Sequence, residues 1–135
     1  MALKEQGVGA LILVVERDPH IRELEQFFLN EAGFSVEFVD DGASALARAR
    51  ELRPQIVVTE ILIPKVDGLT LCRRLKQDAA TKEIIVVIFS VLAAAQRSQE
   101  SGADAFLMKP LEEGTLVSTV RDLLALRLRG NNKET

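Results

Sequence analysis

The sequence has little of what many metal and enzyme sites are built from. It contains one cysteine, one histidine and neither tryptophan nor tyrosine. The single cysteine, Cys72, excludes an internal disulfide and has no metal-ligand spacing, so it favours a reducing compartment and we expect it to pack in or near the core. With His20 as the one histidine, neither a zinc site nor a His-based catalytic site is expected, and we place His20 on a solvent-facing side of a helix.

Long hydrophobic runs and an excess of basic residues are also missing. No apolar run approaches the roughly 20 residues that span a bilayer, and residues 1–10 lack a signal-peptide pattern, so we expect no membrane partner. The net charge of −3 argues against nucleic-acid binding by this domain, because such binding usually needs a basic surface. These absences together favour a cytoplasmic protein.

What the chain does have is a regular alternation of strand and helix patterns. With 135 residues, 47% of them hydrophobic, it is long enough for one domain with a real core. Apolar segments of strand length occur at residues 11–15, 34–39, 55–61, 83–89 and 103–108. Helical patterns follow them at about residues 19–32, 43–52, 68–76, 92–100 and 112–128. This order predicts a domain at 11–128 with a parallel sheet covered by helices on both faces, between an N-terminal extension at 1–10 and a polar tail at 129–135.

The first, third and last helices carry the clearest local signals. Asp18 is a suitable N-cap for the first helix, Pro19 suits its first turn, and Gly33 ends it. Asp67 is a suitable N-cap for the third helix. Helical spacing predicts that the first helix turns Ile21, Leu24, Phe27 and Phe28 inward, and that the last turns inward Leu116, Val117, Val120, Leu123 and Leu124.

Polar residues stand where four of the predicted strands end. Because sites in open parallel sheets lie at the carboxyl ends of the strands, we expect these side chains to meet at one edge. They are Glu16, Arg17 and Asp18 after the first strand, Glu60 after the third, Ser90 after the fourth, and Lys109 and Pro110 after the fifth. An unrelated flavodoxin-like enzyme would need a phosphate-binding glycine loop after the first strand, and the segment ERDPHIRE is not one.

Four segments in this order, VVERDP, VVTEILIPKVDG, IFS and GADAFLMKP, resemble the receiver domain of response regulators, the signalling module of two-component systems. The resemblance covers Leu11 to Leu128. It implies a flavodoxin-like (βα)5 fold: a doubly wound, parallel, five-stranded sheet with strand order 2-1-3-4-5. It also implies a bacterial signalling role in which a histidine kinase donates a phosphoryl group to an aspartate at the end of the third strand.

The resemblance further assigns roles to individual positions. In the family, an acidic pair after the first strand holds Mg²⁺, a Ser or Thr and a lysine bind the phosphoryl oxygens, and an aromatic residue on the fifth strand turns inward. Ser90 and Lys109 stand at the hydroxyl and lysine positions, Phe106 at the aromatic position, and Pro110 where a cis peptide is usual. The loop residues Pro64, Asp67 and Gly68 also match.

Two positions depart from the family pattern. Glu60 occupies the phospho-acceptor position, and Arg17 replaces the second acidic residue, so that Glu16 alone of the pair remains as a metal ligand. Glutamate reaches about a bond length further than aspartate and so partly imitates a phosphoryl group, which has more charge and three oxygens. A guanidinium at position 17 repels Mg²⁺. We therefore predict a fixed ion cluster of Arg17, Glu60 and Lys109, weak or lost Mg²⁺ binding, and no other cofactor.

A third departure is the spacing between Ser90 and Lys109. It is shorter than in the usual receiver by roughly one helical turn, a little under four residues. This predicts a short or reshaped fourth helix, and the fourth helix belongs to the face through which the family meets partners and often dimerises. A homodimer is therefore possible but its geometry is not expected to follow the family.

Several functions remain open from the sequence. The leading hypothesis is an atypical receiver, not an enzyme, that contacts a histidine kinase or a downstream signalling protein without phosphorylation. The first alternative is a working phospho-accepting receiver, favoured by Ser90 and Lys109. The second is the receiver of a transcription regulator whose output domain lies outside this sequence. In a plainer interpretation, Glu60 is a residue that has changed without gaining a role, in a domain kept for its surface, Ser90 and Lys109 are kept as its structural partners, and Arg17 is a solvated residue at the rim of the site.

Overall fold

A computed structural model describes residues 10–112 and 114–134 of the chain. The described strands are β1 (Leu11–Val15), β2 (Ser35–Val39), β3 (Ile56–Thr59), β4 (Ile85–Ser90) and β5 (Ala105–Met108). The described helices are α1 (Pro19–Glu31), α2 (Gly42–Leu52), α3 (Gly68–Gln77), α4 (Ala95–Glu100) and α5 (Thr115–Glu134). The predicted N-terminal extension, apart from Ala10, lies outside the described residues.

The strands form one parallel sheet in the order β2-β1-β3-β4-β5, which confirms the predicted fold class. Successive side chains of a strand point to opposite faces, and the core is divided accordingly. Leu13, Val15 and Val57 pack on the face covered by α2 and α3, whereas Ile12 and Val14 pack on the face that α1 and α5 cover. The three central strands β1, β3 and β4 are almost completely buried because helices cover both of their faces.

The start of α1 is as predicted, and of its predicted inner face Ile21 packs partly buried against the core and Phe28 is half-buried, but the prediction is wrong for the other two residues. The Asp18 side chain caps the helix by accepting from the backbone amides of His20 and Ile21. Leu24 and Phe27, however, are 46% and 58% exposed, and the fully buried residues of the helix are Glu25 and Leu29. Residues at i, i+3 and i+4 satisfy helical spacing equally well, so the pattern left two rotations open and the apolar side chains favoured the wrong one.

The ends of the other elements differ modestly from the predictions. Strand β3 stops at Thr59, two residues before the predicted end, and β4 continues to Ser90. Helix α5 extends to Glu134, so the backbone of the predicted polar tail is helical up to that residue. Leu116 and Val120 are buried as predicted, with Val117, Leu123 and Leu124 packed beside them. Among the described residues, no helix is long and apolar enough to cross a membrane.

Helix α4 is short, as the spacing predicted. It has six residues, and its N-cap residue, Ala94, forms no side-chain capping bond. The segment between Ser90 and Ala94 therefore leaves β4 and enters a helix of less than two turns. This shortened segment borders the carboxyl edge of the sheet, where the candidate site lies.

Candidate functional site

Three ionisable side chains from three strand ends form a buried cluster at the carboxyl edge of the sheet. Lys109 Nζ, after β5, lies 2.7 Å from Glu16 Oε1, after β1, and 2.9 Å from Glu60 Oε2, after β3. The side chains of Lys109, Glu16 and Glu60 are only 6%, 4% and 6% exposed. The predicted convergence of these strand ends is confirmed, and one ammonium group bridges two carboxylates.

The Glu60 carboxylate is surrounded by further donors. Its Oε1 accepts from the Ser90 hydroxyl, from the Ile61 amide at 2.7 Å and from the Leu62 amide at 3.3 Å. Its Oε2 accepts from the Val91 amide at 3.3 Å in addition to Lys109. The side chain therefore turns back toward its own loop, and the lone pairs of both carboxylate oxygens are occupied.

The loop after β3 is held in place by close backbone packing. A Cβ atom at Gly68 would lie 2.2 Å from the Glu60 carbonyl oxygen, and one at Gly42 would lie 1.9 Å from the Val66 carbonyl oxygen. Only glycine allows the starts of α2 and α3 to approach this loop so closely. Asp67 caps α3, as predicted, by accepting from the Thr70 amide at 3.0 Å and its hydroxyl at 2.8 Å. These contacts restrict where the Glu60 backbone sits.

The contacts determine the charge states of two members of the cluster. Burial raises the pKa of Glu60, but the hydrogen bonds from Ser90 and Lys109 outweigh burial and hold this pKa below its ordinary value. Burial lowers the pKa of Lys109, but its hydrogen bonds to Glu16 and Glu60 leave this pKa above its ordinary value. Glu60 and Lys109 are therefore both ionised at neutral pH, as an ion pair that stabilises each charge.

Ser90 and Phe106 also lie where the sequence predicted. The buried Ser90 hydroxyl donates to Glu60 and accepts from the Leu92 amide at 3.1 Å. Phe106 is partly buried and packs against the part of the core that α2 and α3 cover. The bond between Lys109 and Pro110 is cis. His20 is exposed and Cys72 is buried in the core, as expected for residues without a site role.

Arg17 does not join the cluster, so the predicted membership is wrong at this residue. Its side chain is exposed and forms no ion pair with any residue that the structure describes. Glu16 takes its place, accepting from Lys109 and, through Oε2, from the Asp18 amide at 3.1 Å. Lys109 already supplies the buried cation, and desolvating a second one would cost several kcal/mol. The guanidinium therefore stays in solvent at the mouth of the site.

Sequence reasoning missed Glu25, which lies on the sheet side of α1. The residue is 1% exposed, and its Oε1 has no hydrogen-bond partner among the residues that the structure describes. Burial, followed by the negative charge of Glu16, raises the pKa of Glu25 to about 8. The carboxyl group is therefore neutral at pH 7. The available signal was its position four residues after Ile21, on one of the two helix faces that the spacing allowed.

The residues present do not fit the Mg²⁺ site that the family implies. Glu16 and Glu60 would supply its carboxylate oxygens, but the ammonium group of Lys109 lies between them. Within the described part of the chain, no group of three or more acidic, histidine or cysteine side chains has the arrangement of a metal site. Hard cations such as Mg²⁺ need several oxygen ligands and waters. Weak or lost Mg²⁺ binding stays a prediction, and this arrangement supports it.

Comparison with known proteins identifies the class. The family model "Response regulator receiver domain" matches residues 12–121, and the chain therefore belongs to the response-regulator receiver domains of two-component signalling. It is 36% identical over 116 residues to the DNA-binding dual master transcriptional regulator RpaA of Synechocystis, covering 84% of this chain and 48% of that protein. It is 35% identical over 123 residues to the DNA-binding response regulator MtrA of Mycolicibacterium smegmatis, covering 91% and 52%.

A solved structure gives the same assignment. The signal receiver domain of a signal transduction histidine kinase from Syntrophus aciditrophicus has a TM-score of 0.80 and 34% identity, covering 87% of this chain and 91% of that one. Receiver domains are signalling modules rather than enzymes in the ordinary sense. The chain spans about half the length of the curated relatives it matches.

Proposed function

We propose that this chain is an atypical receiver that signals through protein–protein contact without being phosphorylated. The observation that carries the proposal is the saturated Glu60 carboxylate. Ser90 and Lys109, the positions that bind phosphoryl oxygens in the family, both bind the Glu60 side chain instead. The cluster is thus a built-in, partial substitute for the phosphorylated state, with one negative charge where a phosphoryl group carries more.

The geometry also disfavours phosphoryl transfer to Glu60. Catalysis of this reaction depends on an attacking oxygen held in line with the donor and on a metal that neutralises charge. Both Glu60 oxygens already accept hydrogen bonds, and the depressed pKa makes the carboxylate a weaker nucleophile. Attack would first require the carboxylate to leave its partners.

A second candidate function is a phospho-accepting receiver joined to an output domain. Two observations favour it: Ser90 and Lys109 stand at the family positions, and the matched relatives are named as DNA-binding regulators about twice as long as the matched region. In either case the partner would be a histidine kinase or a downstream signalling protein, and any DNA contact would come from a separate domain.

Intact-mass analysis after incubation with acetyl phosphate and Mg²⁺ tests the proposal. We expect no phosphoryl adduct on the native chain. The Glu60→Asp variant tests whether the glutamate at the acceptor position is by itself enough to prevent phosphorylation. The Glu60→Asp, Arg17→Asp double variant restores the acidic pair as well. We expect the double variant to form the adduct, because it regains both the shorter nucleophile and a second metal ligand.

The double variant is also the positive control for the reagents. If it accepts phosphate and the native chain does not, the loss lies in these two residues. A phosphoryl adduct on the native chain, removed by Glu60→Gln, would contradict the proposal and support the second candidate.

A further inference from the structure

An apolar groove with an arginine at each side lies next to the ion cluster. It runs between the loop after β3 and the shortened segment before α4, and it has a volume of about 530 Å³. We call it the Arg17–Arg97 groove. Its apolar lining includes Leu62, Ile63, Leu69 and Leu92. Because α4 begins only at Ala95, the segment that borders the groove is a short loop rather than another helical turn.

Apolar and cationic side chains are both exposed to solvent at the groove. Leu62 is 58% exposed and the neighbouring Val91 is 54% exposed. Arg17 and Arg97 are both exposed, and neither forms an ion pair with a residue in the described ranges. Arginine is enriched in protein–protein interfaces relative to the rest of a protein surface, so an exposed leucine beside two exposed arginines is a suitable surface for a protein partner.

The charges indicate the chemistry of the occupant. The one acidic residue of the lining, Asp67, is engaged as the N-cap of α3 through the Thr70 amide and hydroxyl. Neither guanidinium group forms an ion pair with Asp67, and the two positive charges of the described lining exceed its one negative charge, although the whole chain carries a net charge of −3. Arginine binds carboxylates in a bidentate fork. An occupant that places carboxylates on both sides of an apolar side chain would complement this surface.

We infer that the Arg17–Arg97 groove binds an acidic segment of a partner protein, with a large apolar side chain on Leu62 and Leu92 and carboxylates on the two arginines. The inference deepens the proposed function and rests on it, because it names the surface through which an unphosphorylated receiver meets its partner. The groove is open to solvent rather than enclosed, which suits a peptide segment better than a fully buried small molecule. Its volume is within the range of about 300–1,000 Å³ of known ligand sites.

Peptide titration followed by backbone-amide NMR tests the inference on the full chain. The probe is a synthetic peptide in which Leu and Phe are separated by pairs of Asp. Two matched peptides carry Lys in place of Asp, or Ser in place of Leu and Phe. We expect the acidic apolar peptide to shift amides of residues 61–69 and 91–97, and both matched peptides to bind about tenfold more weakly or not at all.

Variants of the chain distinguish peptide binding in this groove from nonspecific attraction between charges. Arg17→Glu combined with Arg97→Glu is expected to weaken the acidic peptide about tenfold and to improve binding of the Lys peptide. Leu62→Ser tests the apolar contact. Arg121→Glu combined with Arg129→Glu is the control of equal charge change, because both residues lie exposed on α5, across the sheet from the groove, and it should leave binding unchanged.

The outcomes distinguish the groove from the proposed function. Equal weakening by the Arg121→Glu, Arg129→Glu control, shifts confined to other surfaces, or binding of decanoate but not of the peptide would overturn the inference. Each titration is repeated after treatment with acetyl phosphate and Mg²⁺, with the mass of the protein measured in parallel. A phosphoryl adduct with intact peptide binding would overturn the proposed function alone, whereas no adduct and no binding would overturn the groove alone.

Discussion

The buried Glu25 makes a quantitative prediction about stability and pH. Folding raises its pKa from an ordinary 4.5 to about 8, so the folded chain holds this proton more tightly than the unfolded chain. Between these values the unfolded state binds fewer protons than the folded state, and the free energy of unfolding falls as pH rises. The full contribution is present below pH 4.5 and is lost by pH 8.

The magnitude follows from the size of the shift. One pKa unit corresponds to about 1.4 kcal/mol, so the shift of about 3.5 units, from 4.5 to 8, amounts to about 5 kcal/mol. The Glu25→Leu variant removes both the titration and the unpaired Oε1, whose burial costs about 1–3 kcal/mol. We expect the variant to be more stable than the native chain, with an advantage that grows by about 1.4 kcal/mol per pH unit from about pH 5 to 8.

Urea unfolding followed by far-ultraviolet circular dichroism measures this advantage, since the chain has no tryptophan or tyrosine for fluorescence. Glu25→Gln is the neutral near-isostere and should lose the pH dependence while keeping an unpaired polar group. Glu23→Leu, at an exposed position of the same helix, is the control for replacing a glutamate of this helix by leucine. A Glu25→Leu advantage that stays constant from about pH 5 to 8 would refute the reasoning, because Glu25 would then titrate alike in both states.

Two further predictions concern the cluster and its loop. Lys109→Met should destabilise the chain by about 3–5 kcal/mol at neutral pH, because it leaves the Glu16 and Glu60 carboxylates buried without their cation. Adding Glu60→Gln to this variant should recover part of the lost stability. Equal stability of the single and double variants in urea unfolding would argue against the ion pair. Gly68→Ala should lower the melting temperature far more than Gly114→Ala, because a Cβ at 68 meets the Glu60 carbonyl oxygen whereas at 114 it meets nothing within 4 Å. At Gly114, with φ +86, alanine brings backbone strain but no clash, and equal effects at both sites would contradict the packing.

Much of the architecture could be predicted because it depends on local patterns. The β1 bounds, the Asp18 and Asp67 caps and the short α4 all follow from residue types within a few positions of each other. The strand order came from resemblance rather than periodicity. The meeting of Glu60 with Lys109 was also foreseeable, since parallel strands bring their carboxyl ends to one edge.

The errors concern choices that depend on which groups meet across the fold. The sequence offered Glu16 and Arg17 as neighbours at one strand end, and it did not show that Glu16 would pair with Lys109 while Arg17 stayed exposed. Likewise, the donation of the Ile61 and Val91 amides to Glu60 depends on the course of two loops that side-chain patterns do not describe.

The sequence by itself determined the alternation of strands and helices, the caps and the set of polar residues at the sheet edge, because these follow from propensity and spacing along the chain. The tertiary structure decided the rotation of α1 that buries Glu25 rather than Leu24, and the choice of Glu16 as the second partner of Lys109. The physical reason is the same in both cases. Desolvation and pairing energies depend on neighbours that are far apart in sequence, and they are settled only when the helices pack on the sheet.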